Sequence, residues 1–220
     1  MAEEAGRRIV DLAKEDLKPS RILTRGAFDN ALRVQMAIGG STNAVIHLLA
    51  IAGRAGVPLT LDDFDRISRS TPWLVNLKPS GDYLMEDFFS AGGVPAVMRE
   101  LLPDLDGTAL NVSGFTLQAC IGEARCYNRE VIREFSSPLG SEGGTAILYG
   151  NLAPDGAVIK PTAASPELLQ HRGRAFVFES RAELMSHIDD EDLPADASTI
   201  LVMKSGGPLG GPGMPEWGQI

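Results

Sequence analysis

The sequence predicts an α/β chain in two parts. A helix-rich α/β segment covers residues 1–138, and a β-rich segment over 139–220 opens as a β-barrel or sandwich with a few helices. Three observations carry this. Before Ser136-Ser137-Pro138-Leu139-Gly140, apolar residues recur at helical spacing. After it, short β-prone runs alternate with Gly, Pro and Asp turns. With 220 residues, 44% of them hydrophobic, there is enough apolar material for one large core or two small ones.

The elements follow in order. Residues 2–17 read as an amphipathic helix whose stripe is Ile9, Val10, Leu12, Ala13 and Leu17, stopped by Pro19. Thr24 is an N-cap for a second helix through about Ala37. Gly39-Gly40-Ser41-Thr42-Asn43 follows, then a helix over 44–55 that is apolar all round, which predicts burial on every side. Thr60 and Asp63 form a capping box for a helix over 61–70. Residues 73–77 read as a short strand ended by Pro79-Ser80-Gly81. Helices over 83–90 and 94–102 are split by Gly92-Gly93, and another covers 116–127.

In the second part, residues 145–149 form a strand. Ala153-Pro154-Asp155-Gly156 is a turn, and 157–160 pairs back as a hairpin. Further strands cover 174–178 and 199–204, with a Ser180/Glu183 capping box opening a helix over 181–188. The chain starts inside a helix and stops one turn after a glycine-rich loop. A strand at 199–204 needs neighbours, so part of the second domain is expected outside these residues.

Charge and patterning exclude whole classes. A net charge of −9 without a dense Lys/Arg run repels a phosphate backbone, so no nucleic-acid partner is expected. No apolar stretch approaches the ~20 residues that span a bilayer, and residues 1–8 lack a signal-peptide core. The reading is a soluble, cytoplasmic chain with no membrane partner. Cys120 and Cys126, six apart and outside any CxxC pattern, read as reduced thiols in or near a core, with a disulfide or cluster-ligand role as the alternative. Two cysteines alone do not complete the usual thiolate set of an iron–sulfur cluster.

Two segments could carry chemistry. At 39–43, glycines followed by Ser41, Thr42 and Asn43 at a helix start would offer N–H groups and the positive end of a helix dipole to a carboxylate or phosphate. Simple capping with close helix packing is the other reading, and no Gly-Lys-Ser/Thr follows to make a P-loop. The second segment, 205–216, follows a strand and carries five glycines and two prolines before Met214-Pro215-Glu216. A carboxylate on a stiff loop suits an oxygen-loving cation such as Mg²⁺; a tight surface loop is the alternative. His47 reads as a core histidine satisfied by a hydrogen bond, with substrate contact as the alternative. His171, His187 and the run Asp189-Asp190-Glu191-Asp192 read as surface, and Lys78-Pro79-Ser80-Gly81-Asp82 as an ordinary turn, with an active-site loop as the alternative.

Taken together, Ala37-Ile38-Gly39-Gly40-Ser41-Thr42-Asn43-Ala44, Leu77-Lys78-Pro79-Ser80-Gly81, Met85-Glu86-Asp87, Gly92-Gly93-Val94-Pro95-Ala96-Val97-Met98 and Gly211-Pro212-Gly213-Met214-Pro215-Glu216 occur in that order. The chain thereby resembles the dihydroxy-acid dehydratase / phosphogluconate dehydratase family, which includes the aldonate (arabinonate and xylonate) dehydratases. Pro215-Glu216-Trp217-Gly218-Gln219 looks closest to the pentonate enzymes. The resemblance implies a hydro-lyase that turns 2,3-dihydroxy acids or sugar acids into 2-keto-3-deoxy acids. A serine alkoxide would take the C2 proton, an iron–sulfur cluster would assist departure of the C3 hydroxyl, and Mg²⁺ would hold the carboxylate end.

Residue by residue, Glu216 matches the family's C-terminal Mg²⁺ ligand, and Ser41, Thr42 and Asn43 are candidates for substrate contact. The resemblance places the serine base in a segment just beyond Ile220, so no catalytic base is assigned within these residues. The cluster cysteines and the other Mg²⁺ ligands belong to motifs upstream of Met1. The resemblance therefore implies a middle slice. It would hold the end of the cluster-bearing α/β domain (1–138) and the start of a swivelling β-barrel-like domain (139–220). Such a slice would be inactive alone and part of a homo-oligomer at full length. The alternative is a non-catalytic binding or assembly module that keeps the family sequence.

Overall fold

The computed structural model describes residues 2–206. The chain divides into two compact units, one running to Ala164 and the other from Ser165. The first unit holds α1 (Ala2–Lys14), α2 (Pro19–Ile22), α3 (Arg25–Ile38), α4 (Asn43–Ala55), α5 (Leu61–Arg69), α6 (Met85–Ser90), α7 (Gly93–Glu100) and α8 (Leu117–Ile121). A hairpin of β1 (Ala146–Leu148) and β2 (Ala157–Ile159) completes it. The second unit holds β3 (Ala175–Phe178), α9 (Arg181–Ser186) and β4 (Ile200–Met203).

Helix α3 organises the first unit, and local sequence explains its bounds. Thr24 caps it as expected, its hydroxyl accepting from the Ala27 N–H at 3.3 Å. Gly39, left-handed at φ 64°, ends it, a conformation that suits a residue without Cβ. Two faces of α3 enter two cores. Ala37 joins Leu74, Val75, Val97, Leu101 and Ile132, while Leu32 and Met36 join Val45, Phe64, Ile67 and Ile147. At roughly 1.5–3 kcal/mol for each large apolar side chain fully buried, both cores depend on this one helix.

The capping box of α5 is present as predicted. Asp63 accepts from the Thr60 N–H at 3.0 Å and also receives Arg25 of α3 at 2.5 Å and Arg66 at 2.9 Å. One carboxylate thus starts α5 and ties it to α3. The predicted hairpin is also present, with Ala146 opposite Ile159 and Leu148 opposite Ala157. It packs on α5, where Ile147 N–H donates to Asp65 at 3.2 Å and the Tyr149 hydroxyl donates to Asp62 at 2.5 Å. The hairpin therefore belongs to the first compact unit, although the texture of the sequence changes earlier, near residue 138.

Several expectations need correction. Helix α4 is not buried on every side: Val45 and Ala52 are its buried residues, and Ile51 is 45% exposed. Much of its outer surface is alanine and glycine, whose exposure costs little. His47 is consequently exposed rather than a core histidine. Residues 73–77 do not form a strand, because Trp73, Val75 and Leu77 bridge to three different segments, at Gly140, Ile132 and Tyr83, and no ladder builds. Helix α8 stops at Ile121, and the chain loops through 122–127 so that Arg125 carbonyl passes against Gly92, where a Cβ would collide.

In the second unit, β3 and β4 pair in parallel, Ala175 opposite Ile200 and Phe178 opposite Met203, with α9 in the crossover. Ser180 caps α9 by accepting from the Glu183 N–H at 3.2 Å, while Glu183 accepts from Glu179 N–H in place of the cap residue's own. Among the described residues the sheets are two separate two-stranded pairs, mixed with helix, as an α/β chain. A barrel-like closure is not seen among them.

Candidate functional site

Four segments far apart in sequence converge at the C-terminal end of α3. A Cβ built on Gly144 would lie 2.5 Å from Gly39 Cα, so two backbones touch here and only glycine fits at 144. The Gly144 N–H donates to Met36 carbonyl at 3.1 Å, and Gly143 N–H to Ser68 carbonyl at 2.9 Å. From the 78–81 turn, Ser80 Oγ lies 3.0 Å from Thr162 Oγ1, and the Thr162 hydroxyl is 3.4 Å from Gly144 carbonyl. Trp73 closes the side, its indole N–H donating to Val75 carbonyl at 2.8 Å beside Gly39.

The turn at 41–43 leaves directly from this junction. Gln35 of α3 fixes it by donating to Ser41 carbonyl at 2.7 Å. Ser41 Oγ accepts from both the backbone N–H and the side-chain amide of Asn43, each at 3.2 Å. The Ala44 and Val45 N–H groups donate back to Ser41 and Thr42 carbonyls at 3.1 and 3.2 Å. The start of α4 thus satisfies the N–H groups of residues 43–45 within its own turn. What the turn presents is a side-chain set: the exposed Ser41 with the half-buried Thr42 and Asn43. Lys160, just before Thr162, is half-buried, and burial pushes its ammonium below the ordinary lysine value.

Other candidates lie elsewhere. Glu216 falls outside the described residues. So does Ile220, the residue beyond which the serine base is expected, and the described residues hold no position that this expectation assigns as the base. His47 lines an apolar groove with Val34, Ile38, Val94 and Met98. Cys120 is exposed, not in a core, and hydrogen bonding from Ser113 and then Asn111 holds its thiol below the ordinary value. Cys126 is half-buried and donates to Asn128 carbonyl at 3.3 Å. Both thiols are free. His171 is exposed with a ring nitrogen 2.8 Å from Ser198 carbonyl, and His187 is half-buried beside Phe178. Residues 189–192 are exposed, as expected.

Sequence reasoning missed Gly143, Gly144 and Thr162, and placed Ser80 in a segment read as an ordinary turn with an active-site loop as the alternative. The available signal was the Gly143-Gly144 pair directly before a strand, a place where close backbone approach is the usual reason for glycine.

Two of the motif segments of the family resemblance, 37–44 and 77–81, meet here, and comparison with known proteins agrees with the resemblance. The dihydroxy-acid/6-phosphogluconate dehydratase N-terminal model matches residues 1–120, and the corresponding C-terminal model matches 130–220. The chain belongs to this dehydratase family. It is 56% identical to an L-arabonate dehydratase of Azospirillum brasilense over all of this chain and 38% of that protein. It is 54% identical to an L-arabinonate dehydratase of Rhizobium leguminosarum, over all of this chain and again 38% of the relative. With a dihydroxy-acid dehydratase of Moorella thermoacetica it shares 45% identity over 98% of this chain and 39% of the relative. The chain therefore spans less than two fifths of the length of these curated relatives. No helix among the described residues is long and apolar enough to cross a membrane.

Proposed function

We propose that this chain is a segment of a sugar-acid dehydratase that removes water from a pentonate to give a 2-keto-3-deoxy acid. The observation that supports it most is the convergence of Gly39–Asn43, Ser80, Gly144 and Thr162 at one junction. Identity to arabinonate dehydratases, higher than to the Moorella dihydroxy-acid dehydratase, favours the sugar acid over the branched dihydroxy acid. In this reading the junction is rigid because two glycine backbones touch. The hydroxyls of Ser41 and Thr42 and the amide of Asn43 then meet the substrate's hydroxyl and carboxylate oxygens as donors and acceptors.

The same reading expects Mg²⁺ with Glu216 as one ligand, an iron–sulfur cluster held by cysteines outside this sequence, a serine base beyond Ile220, a swivelling barrel-like second domain, and a homo-oligomer. When bound, the metals supply Lewis acidity to the departing hydroxyl and to the enolate. Among the described residues no three His, Cys, Asp or Glu side chains form a metal-holding group, so these residues do not by themselves fit either metal. The 220-residue chain alone is expected to be inactive.

A chimera tests this. The matching segment of an L-arabonate dehydratase is replaced by this chain, and release of 2-keto-3-deoxy acid from L-arabinonate is measured. Turnover within about tenfold of the parent is expected. A folded, metal-loaded chimera that dehydrates a branched dihydroxy acid and not the pentonate would overturn the substrate assignment. One that dehydrates neither would overturn the function.

A further inference from the structure

One lysine stands apart from the others. Lys14, Lys18 and Lys204 each pair with a carboxylate, at 3.4, 2.9 and 2.7 Å, and Lys78 is exposed. Lys160 is half-buried, and its ammonium has no hydrogen bond or ion pair among the described residues. Burial is the one influence on its charge, so no neighbouring carboxylate makes up for the lost water. Taking an ammonium partly out of water without a counter-ion is unfavourable, and an anion from outside would offset this.

The hairpin register places this side chain. Ile147 lies opposite Val158, and both pack into the core that holds Leu32 and Met36 of α3 and Val45 of α4. Side chains alternate along a strand, so Lys160, two residues after Val158, falls on the same face, toward α3 and α4. It also opens the turn at 161–163, its carbonyl accepting from Ala163 N–H at 3.1 Å. Thr162 of that turn meets Ser80 and the Gly144 carbonyl, and Gly144 lies against Gly39, from which the 41–43 turn leaves. Lys160 thus sits at the junction end of the hairpin, on the face that meets the start of α4. We propose that Lys160 binds the carboxylate of the substrate and so selects a sugar acid over the uncharged sugar. This rests on the dehydratase reading and adds to it a cation for the charged end of the substrate. Ser41, Thr42 and Asn43 are neutral, and an ammonium gives a carboxylate a stronger hydrogen bond than they can.

The test compares Lys160→Gln and Lys160→Arg with the parent sequence in the L-arabonate dehydratase chimera. Lys160→Gln is expected to raise KM for L-arabinonate by about tenfold or more and to change kcat by less than about threefold. Lys160→Arg should recover most of the lost affinity. Metal content and the melting temperature without substrate should match the parent in both variants, because the lysine has no partner in the fold. Saturating L-arabinonate should raise the melting temperature of the parent and raise that of Lys160→Gln clearly less. An unchanged KM in Lys160→Gln, no recovery by Lys160→Arg, or a loss of metal would each overturn the inference and leave the dehydratase reading standing. So would a lowered melting temperature or failure to fold in Lys160→Gln, since the lysine would then serve the fold. A chimera that keeps Lys160 and dehydrates no pentonate would overturn both.

Discussion

The two compact units are held together in different ways. The first has two apolar cores that share α3, with Leu32, Met36, Phe64, Leu74, Val75 and Ile132 almost wholly buried. The second, through residue 206, buries Phe178 and Leu184, while Val177, Ile200 and Leu201 of its two strands are 41–51% exposed. Its order rests on one parallel strand pair, a Phe176–Phe178 ring contact at 5.0 Å and a Lys204–Glu179 ion pair at 2.7 Å. The glycine junction thus sits beside two apolar cores, whereas the close backbone approach of the second unit, Gly173 against the Ser198 carbonyl, sits beside a smaller one.

The largest test of this contrast is Phe64→Ala, which deletes a fully buried ring from the α3–α5 core. It should lower stability by about 3–5 kcal/mol in chemical denaturation. Phe178→Ala should cost less, roughly 2–3 kcal/mol by the same measurement, because sparser surroundings relax more around the missing ring. Equal losses at the two positions would erase the distinction between the units.

A smaller effect is expected at Asp63. Its carboxyl is held well below the usual aspartate range by Arg25 first, then by Arg66 and the Thr60 N–H. A lowered folded-state value means the charged form stabilises the fold at neutral pH and that this contribution is lost as pH falls below about 4. Asp63→Asn should therefore cost about 1–2 kcal/mol at pH 7, with Arg25 partly screened by solvent, and should flatten the acid limb of a stability–pH curve. An unchanged acid limb would show that the capping carboxylate does not couple α3 to α5.

Much of this was legible in the sequence where chemistry is local. The Thr24 cap, the Thr60/Asp63 box and the Asp155-Gly156 hairpin each follow from side chains within a few residues of the backbone they govern. What could not be read there depends on distant partners. The exposure of α4 is set by what fails to cover it, and 73–77 loses its ladder because its three partners come from three places. Likewise, Gly144 matters through its contact with Gly39. Of the candidate site, Ser41, Thr42 and Asn43 were visible as a motif; Ser80 and Thr162 join them only once the chain is folded. Glu216, the predicted Mg²⁺ ligand, lies outside the described residues.

The most direct measurement of the central claim is the rate of water loss from L-arabinonate by the chimera, with and without Gly144→Ala. A methyl at 144 would meet Gly39 Cα at 2.5 Å and Thr162 Oγ1 at 3.2 Å. Turnover is expected to fall at least tenfold while the folded, metal-loaded fraction is retained, because the turn carrying Ser41, Thr42 and Asn43 is displaced. Undiminished turnover in the Gly144→Ala chimera would contradict a site built on this junction.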